Sequence, residues 1–154
     1  MITSATRRLA VTGAVLATLG TLGVVAATGS PRSEGDAVLG PGRATTTIDI
    51  EHSRFSTDRI VVAAGTLVTF VVDNDDPIAH ELIVGPPEVH RRHATGTEAA
   101  HPPVPGEVTV PALQEATTTY TFAEPGTFTF ACHLPGHVAY GMVGEVVVEG
   151  RISG

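Results

Sequence analysis

The sequence predicts an all-β fold, a Greek-key β-sandwich of about seven to eight short strands. Three observations point there. Beyond Ser30 the apolar residues recur with period two or in short runs, and no stretch sustains a helical period. Turn formers are abundant, with 17 Gly and 11 Pro in 154 residues, too many for a helical bundle. Hydrophobic residues still make up 42%, too apolar for a disordered chain.

The elements follow in order. Thr45 to Ile50 alternates, with Ile48 and Ile50 on one face. Arg59 to Ala63 is a β-branched run that Ala64-Gly65 turns into Thr66 to Asp73. There Val68, Phe70 and Val72 share a face and Leu67 takes the other. His80 to Val84 is a short strand closed by Gly85-Pro86-Pro87. Glu107 to Val110, Thr117 to Phe122, Thr127 to Cys132 and Glu145 to Glu149 complete the set, with Pro125-Gly126 an explicit turn. In the insertion 86–105, Pro86-Pro87 can start a short helix.

The first thirty residues differ in character. Arg7 and Arg8 precede the uncharged stretch Leu9 to Ala27, and Val25-Ala26-Ala27 supplies the small residues a signal peptidase accepts. Residues 1–27 are expected to be a signal peptide or, uncleaved, an N-terminal membrane anchor; Gly and Thr within the stretch favour cleavage. Thr6-Arg7-Arg8-Leu9 also resembles a twin-arginine signal. Residues 28–44 then read as a flexible tether and 45–150 as one domain. The expected location is extracytoplasmic, periplasmic or at the cell surface, with membrane contact only through an uncleaved N-terminal segment.

Composition removes several function classes. The formal net charge is -7, without the basic footprint that nucleic acid requires. All nine cations are Arg, which excludes Lys-based catalysis. One Cys excludes an intrachain disulfide and any multi-cysteine zinc or iron–sulfur site. A lone thiol in an oxidising compartment needs a reason to exist.

That reason lies in Cys132-His133-Leu134-Pro135-Gly136-His137-Val138-Ala139-Tyr140-Gly141-Met142. Chemically it is C-x4-H-x4-M, a thiolate, an imidazole and a thioether along one loop. Pro135-Gly136 and Gly141 permit the tight backbone changes that turn several ligands inward. This donor set suits copper in both oxidation states, whereas zinc gains little from Met. One more imidazole would complete the site. His80, at a strand start after the turn Asp73-Asn74-Asp75-Asp76-Pro77, is the best placed.

With these residues in view, the sequence resembles the cupredoxins, the small type 1 (blue) copper proteins such as plastocyanin, azurin and auracyanin. The resemblance runs from Thr45 to Glu149 through "IVVAAGTLVTFVVDND", "PIAHELIV" and "GTFTFACHLPGHVAYGMVGEVVV". It implies a cupredoxin-like sandwich with His80, Cys132 and His137 as equatorial copper ligands and Met142 as the axial one. His137 would be the edge for electron entry and exit. The chain also departs from the family. Many members follow the first His ligand with Asn, which ties the ligand loops together; here Glu81 follows, so that bond must be made otherwise. Many carry Ser or Thr after the Cys, where this chain has His133, read as lying outside the ligand set. A binuclear purple-copper site would need a second Cys where Gly136 stands.

The expected function is that of a one-electron carrier between a redox donor and a redox acceptor, monomeric and not an enzyme. Copper handling, as a scavenger or donor, is the first alternative, favoured by the insertion's His90, His93 and His101. A subunit of a copper-dependent reductase or oxidase is the second, and it would need an open coordination position. His90 and His93 would share a face of a helix and admit a second metal, although a solvated polar loop reads more simply. Asp73, Asp75 and Asp76 read as a solvated acidic turn, and His52 carries no signal.

Overall fold

The computed structural model describes residues 38–95 and 104–150. The segment 1–27, expected to be a signal peptide or membrane anchor, and His101 lie outside these residues. Eight strands and one helix follow one another: β1 (Arg43–Ile50), β2 (Arg59–Ala63), β3 (Thr66–Asn74), β4 (His80–Gly85), α1 (Pro87–Thr95), β5 (Glu107–Val110), β6 (Glu115–Phe122), β7 (Gly126–Ala131) and β8 (Val143–Glu149). Every strand expected from the alternation forms, with ends shifted by at most two residues. The tether expected over 28–44 leads into the sheets before it ends. Leu39 bridges to Val62, and β1 begins at Arg43.

The strands form two sheets, β1-β3-β6 and β2-β8-β7-β4-β5. β1 runs parallel to β3, pairing Ile48 with Val72, while β3 runs antiparallel to β6. In the larger sheet β8 lies between β2, parallel to it, and β7, antiparallel. β4 is antiparallel to both β7 and β5. Two turns legible in the sequence therefore join sheets and not neighbouring strands. Ala64-Gly65 carries the chain from the five-stranded sheet to the three-stranded one, and Gly65 N–H donates to Phe122 O at 2.7 Å. Pro125-Gly126 returns it between β6 and β7.

Period-two burial explains why these segments pair as they do. Ile48, Ile50, Val68, Phe70 and Val72 are fully buried on one face of the small sheet. Facing them are Val62, Leu82, Phe130 and Val146 of the large sheet, in one continuous core. Phe70 and Phe122 meet edge to face with centroids 6.3 Å apart, and Phe122 meets Phe128 at 5.3 Å. The same core reaches Cys132 and Met142 at its end, so the loop between β7 and β8 is anchored in packed side chains. Helix α1 lies after β4, with Glu88 in its first turn and Arg92 and His93 in its last, the charge order its dipole favours. Among the described residues no helix is long and apolar enough to cross a membrane.

Candidate metal centre

Three of the four predicted ligands converge at the end of the sandwich. The Nδ1 atoms of His80 and His137 lie 3.2 Å apart, and His137 Nδ1 lies 3.2 Å from Cys132 Sγ. The ligating atoms of His80, Cys132 and His137 all fall within 4.8 Å of one another. Two nitrogens at about 2.0 Å and a sulfur at about 2.3 Å from a common ion stand roughly 3–4 Å apart, so the donor set fits one metal ion. The two rings are tilted at 47°, with centroids 4.9 Å apart. His80 and Cys132 are fully buried, whereas His137 is half-buried and nearest to solvent.

The loop after β7 is closed by its own backbone. Met142 N–H donates to His137 O at 3.0 Å, and Cys132 N–H donates to Met142 O at 3.1 Å. These bonds tie the three sequence-predicted residues of the loop to each other. Gly136 and Gly141 adopt φ of 87° and 96°, the left-handed conformation that their lack of Cβ permits. Met142 is fully buried in the core beneath.

His80 begins β4 after the acidic turn, whose Asp73 and Asp75 are solvent-exposed as expected while Asp76 is buried. Asn74 Nδ2 donates to the carbonyls of Ile78 and Pro111, both at 2.9 Å, while its Oδ1 accepts from Asp76 N–H at 3.1 Å. Asp76 is thereby turned inward, and its Oδ2 lies 2.9 Å from His80 Nε2. A carboxylate in that position accepts a hydrogen bond from Nε2–H and so keeps the proton on Nε2, which leaves the Nδ1 lone pair toward Cys132 and His137. Asp76 also accepts the backbone N–H groups of His52 and Ser53, at 2.8 and 2.7 Å. Both residues have φ of 54°, a left-handed pair that aims successive amides at one anion. Burial favours the protonated form of Asp76, but the Ser53 and His52 amides and the His80 ring outweigh it and hold the carboxyl below its usual range.

Glu81 supplies the link between ligand loops that Asn makes elsewhere. Its buried Oε1 accepts His133 N–H at 2.8 Å, joining the residue after His80 to the residue after Cys132. Electrostatics at the donors follow from burial. Desolvation, aided by the Glu81 charge and opposed by the Glu81 and Leu134 backbone amides, pushes the Cys132 thiol up to about 11. A metal ion must therefore displace that proton as it binds. Burial and the neighbouring His80 ring lower the His137 pKa, which keeps its lone pair available.

A second group of imidazoles lies beside the first. Residues His90 and His93 do share one face of α1, and both turn toward His133. His90 Nδ1 is 2.8 Å from His133 Nε2, and the His93 and His133 rings stack with centroids 6.1 Å apart. Burial, followed by the charges of His90 and His93, lowers His133 to about 4. Sequence reasoning missed the roles of Asp76 and His52. Asp76 sits four residues before His80 in a non-helical turn, where no periodicity links them, and His52 contributes only its backbone.

A family profile described as copper-binding proteins of the plastocyanin/azurin family matches residues 42–149. The copper-resistant cuproprotein CopI of Rubrivivax gelatinosus is 38% identical over 100 residues, covering 62% of this chain and 60% of that protein. The chain thus spans less than two thirds of that relative's length. The fold is similar to dithionite-reduced auracyanin from the photosynthetic bacterium Roseiflexus castenholzii, with a TM-score of 0.58, 23% identity and coverage of 68% of this chain and 96% of that one. It is also similar to part of a multicopper oxidase, with a TM-score of 0.53, 18% identity and coverage of 72% and 40%. The copper-ligating donor chemistry, the sandwich that carries it and the profile match over most of the chain agree, and the chain belongs to the plastocyanin/azurin family of copper-binding proteins.

Proposed function

We propose that the protein is a type 1 copper carrier of single electrons, in which His80 Nδ1, Cys132 Sγ and His137 Nδ1 would hold the ion together with Met142. The observation that carries this reading is the assembled donor set, three ligating atoms within 4.8 Å whose supports are already in place. Copper, when bound, supplies a one-electron couple strongly coupled to the thiolate. The chain's own residues do the rest. Asp76 fixes the His80 tautomer, Glu81 joins the two ligand loops, and the Cys132, His137 and Met142 backbones bond to one another. Such supports resist movement when the metal's charge changes, which favours rapid electron transfer.

Exposure supports His137 as the edge through which electrons pass. Around this end of the sandwich stand exposed apolar side chains: Val138 and Tyr140 on the ligand loop, Ile78 before β4 and Leu113 before β6. Their loops are tied to the site, since Leu113 N–H donates to Asp76 O and Ile78 O accepts from Asn74. An apolar rim of this kind suits brief docking of a redox donor and then an acceptor. The carrier turns over no substrate, acts as a monomer, and works outside the cytoplasm, where its N-terminal segment would direct it.

Visible absorption on addition of Cu(II) tests the assignment, with Cys132→Ser as the control. An intense thiolate-to-copper band that the control lacks is expected. Weak d–d absorption alone, unchanged by the substitution, would overturn it. Copper handling is the second reading, favoured by the likeness to a protein named copper-resistant. Reversible redox cycling with copper retained against a chelator distinguishes the carrier, whereas ready release distinguishes the handler.

A further inference from the structure

The imidazole group beside the first site has the construction of a metal site of its own. His90 Nε2 faces two backbone carbonyls, Gly85 O at 3.2 Å and Thr129 O at 3.1 Å. Carbonyl oxygens only accept, so Nε2 carries the proton and His90 Nδ1 is left as a lone pair. That lone pair faces His133 Nε2 at 2.8 Å. Moving one proton between the two nitrogens of His133 turns its Nε2 into a second lone pair aimed at the same point, and no proton need leave the protein. Metal-bound histidines are characteristically oriented in this way, through the nitrogen that does not bind.

The surroundings hold the pair in place and leave one side open. His93, with its side chain buried, sets its Nε2 2.8 Å from Glu107 Oε2 and stacks on His133. Arg92 also bonds Glu107. Behind His133, Glu81 holds the backbone N–H. In front, a cleft of about 340 Å³ opens on His90 and His133, between Arg91 and Ala94 of α1 and Val138 of the ligand loop. An ion can enter there, and water can complete its coordination.

Donor chemistry selects the ion. Two imidazole nitrogens with the remaining positions left to water suit Cu(II), which nitrogen sites bind most tightly among the divalent first-row metals. We propose that His90 Nδ1 and His133 Nε2 form a second, solvent-accessible Cu(II) site, oriented by the Gly85 and Thr129 carbonyls and backed by His93. It shares no ligand with His80, Cys132 and His137 and does not depend on the electron-carrier reading.

The test is titration of the full-length protein with Cu(II), followed by electron paramagnetic resonance and calorimetry. Two equivalents are expected. One gives the intense visible band and is lost in Cys132→Ser. The other gives only weak d–d absorption and an ordinary Cu(II) resonance, and it persists in Cys132→Ser. His90→Gln should weaken the second equivalent at least about tenfold while leaving the intense band intact, and that band reports that the variant has folded. His133→Gln should weaken the same equivalent. A single equivalent in the unaltered protein that carries the intense band, with no Cu(II) bound in Cys132→Ser, would overturn the proposal. So would a second equivalent that binds His90→Gln unchanged, since the ion would then sit elsewhere. If the intense band never appears but the His90-dependent equivalent does, the type 1 reading fails and this site stands.

Discussion

Asp76 illustrates how a residue with no signal of its own becomes central once the chain is folded. Its carboxylate joins three backbone or ring N–H groups from two loops and sets the tautomer of His80. Replacing Asp76 by Asn keeps an acceptor but removes the charge. We expect the reduction potential of the copper-loaded protein to rise by tens of millivolts, on the order of the 1 kcal/mol lost when a charged hydrogen bond becomes neutral. Protein-film voltammetry checks this, and an unchanged potential would show that the carboxylate does not tune the ligand. The same variant should lower metal-free stability by about 1–2 kcal/mol in urea, because the His52 and Ser53 amides use different carboxylate oxygens and Asn offers only one, so one amide loses its acceptor. The candidate donors themselves were legible, since C-x4-H-x4-M is a local pattern with its own chemistry. Their supports were not, because His52, Asp76 and Glu81 act across loops that only the tertiary fold brings together.

Strands were the most legible elements, because half-buried strands write their alternation into the sequence. Phe70, Val72, Ile48 and Ile50 announced their faces before any partner was known. Partner choice was less readable. The runs on either side of Ala64-Gly65 look like a hairpin, yet they occupy different sheets. Close approach within a sheet was also hidden. At Gly144 an added Cβ would sit 2.2 Å from Phe130 Cζ and 2.7 Å from Asp58 O. Gly144→Ala should therefore force Phe130 or β8 to shift, at a cost of about 1–3 kcal/mol. Urea denaturation checks it, and a midpoint equal to that of the unaltered protein would refute the close packing. Helix α1 was foreseen as a short element after Pro86-Pro87. The inward turn of its histidines was not, because nothing in the segment names His133 as their neighbour.

At the scale of the whole molecule, the histidines make the metal-free fold sensitive to acid. Burial leads the lowering at His90, ahead of the opposing Thr129 and Gly85 carbonyls, and it leads the lowering at His133 and His137 as well. Below about pH 6.5 the unfolded chain binds protons at these positions that the folded chain refuses, so acid favours unfolding. For His133 this continues until its folded value of about 4. Asp76 and Glu107 are held below the usual carboxylate range, Glu107 because His93 and Arg92 outweigh its burial. Their stabilisation is present above the unfolded carboxylate value and is lost as pH falls through the folded one. The metal-free protein should accordingly lose thermal stability steadily from pH 7 to pH 4 and further below it. A midpoint that stays level over that range would contradict the burial of these rings.

The position of β8 also sets an order in time. Arg59 of β2 pairs with Glu145 of β8, 86 residues later. At about 5–20 residues per second of synthesis, β2 emerges roughly ten seconds before the strand it pairs with. Throughout that interval β2 lacks its sheet neighbour and has only the Leu39 bridge at Val62, so Ile60 and Val62 await the cover that β8 completes. The ligand loop is made immediately before β8, so closing the sheet and gathering the donors are a single late event. A half-made chain lacks Cys132 and His137, so it cannot assemble the three-donor set with His80.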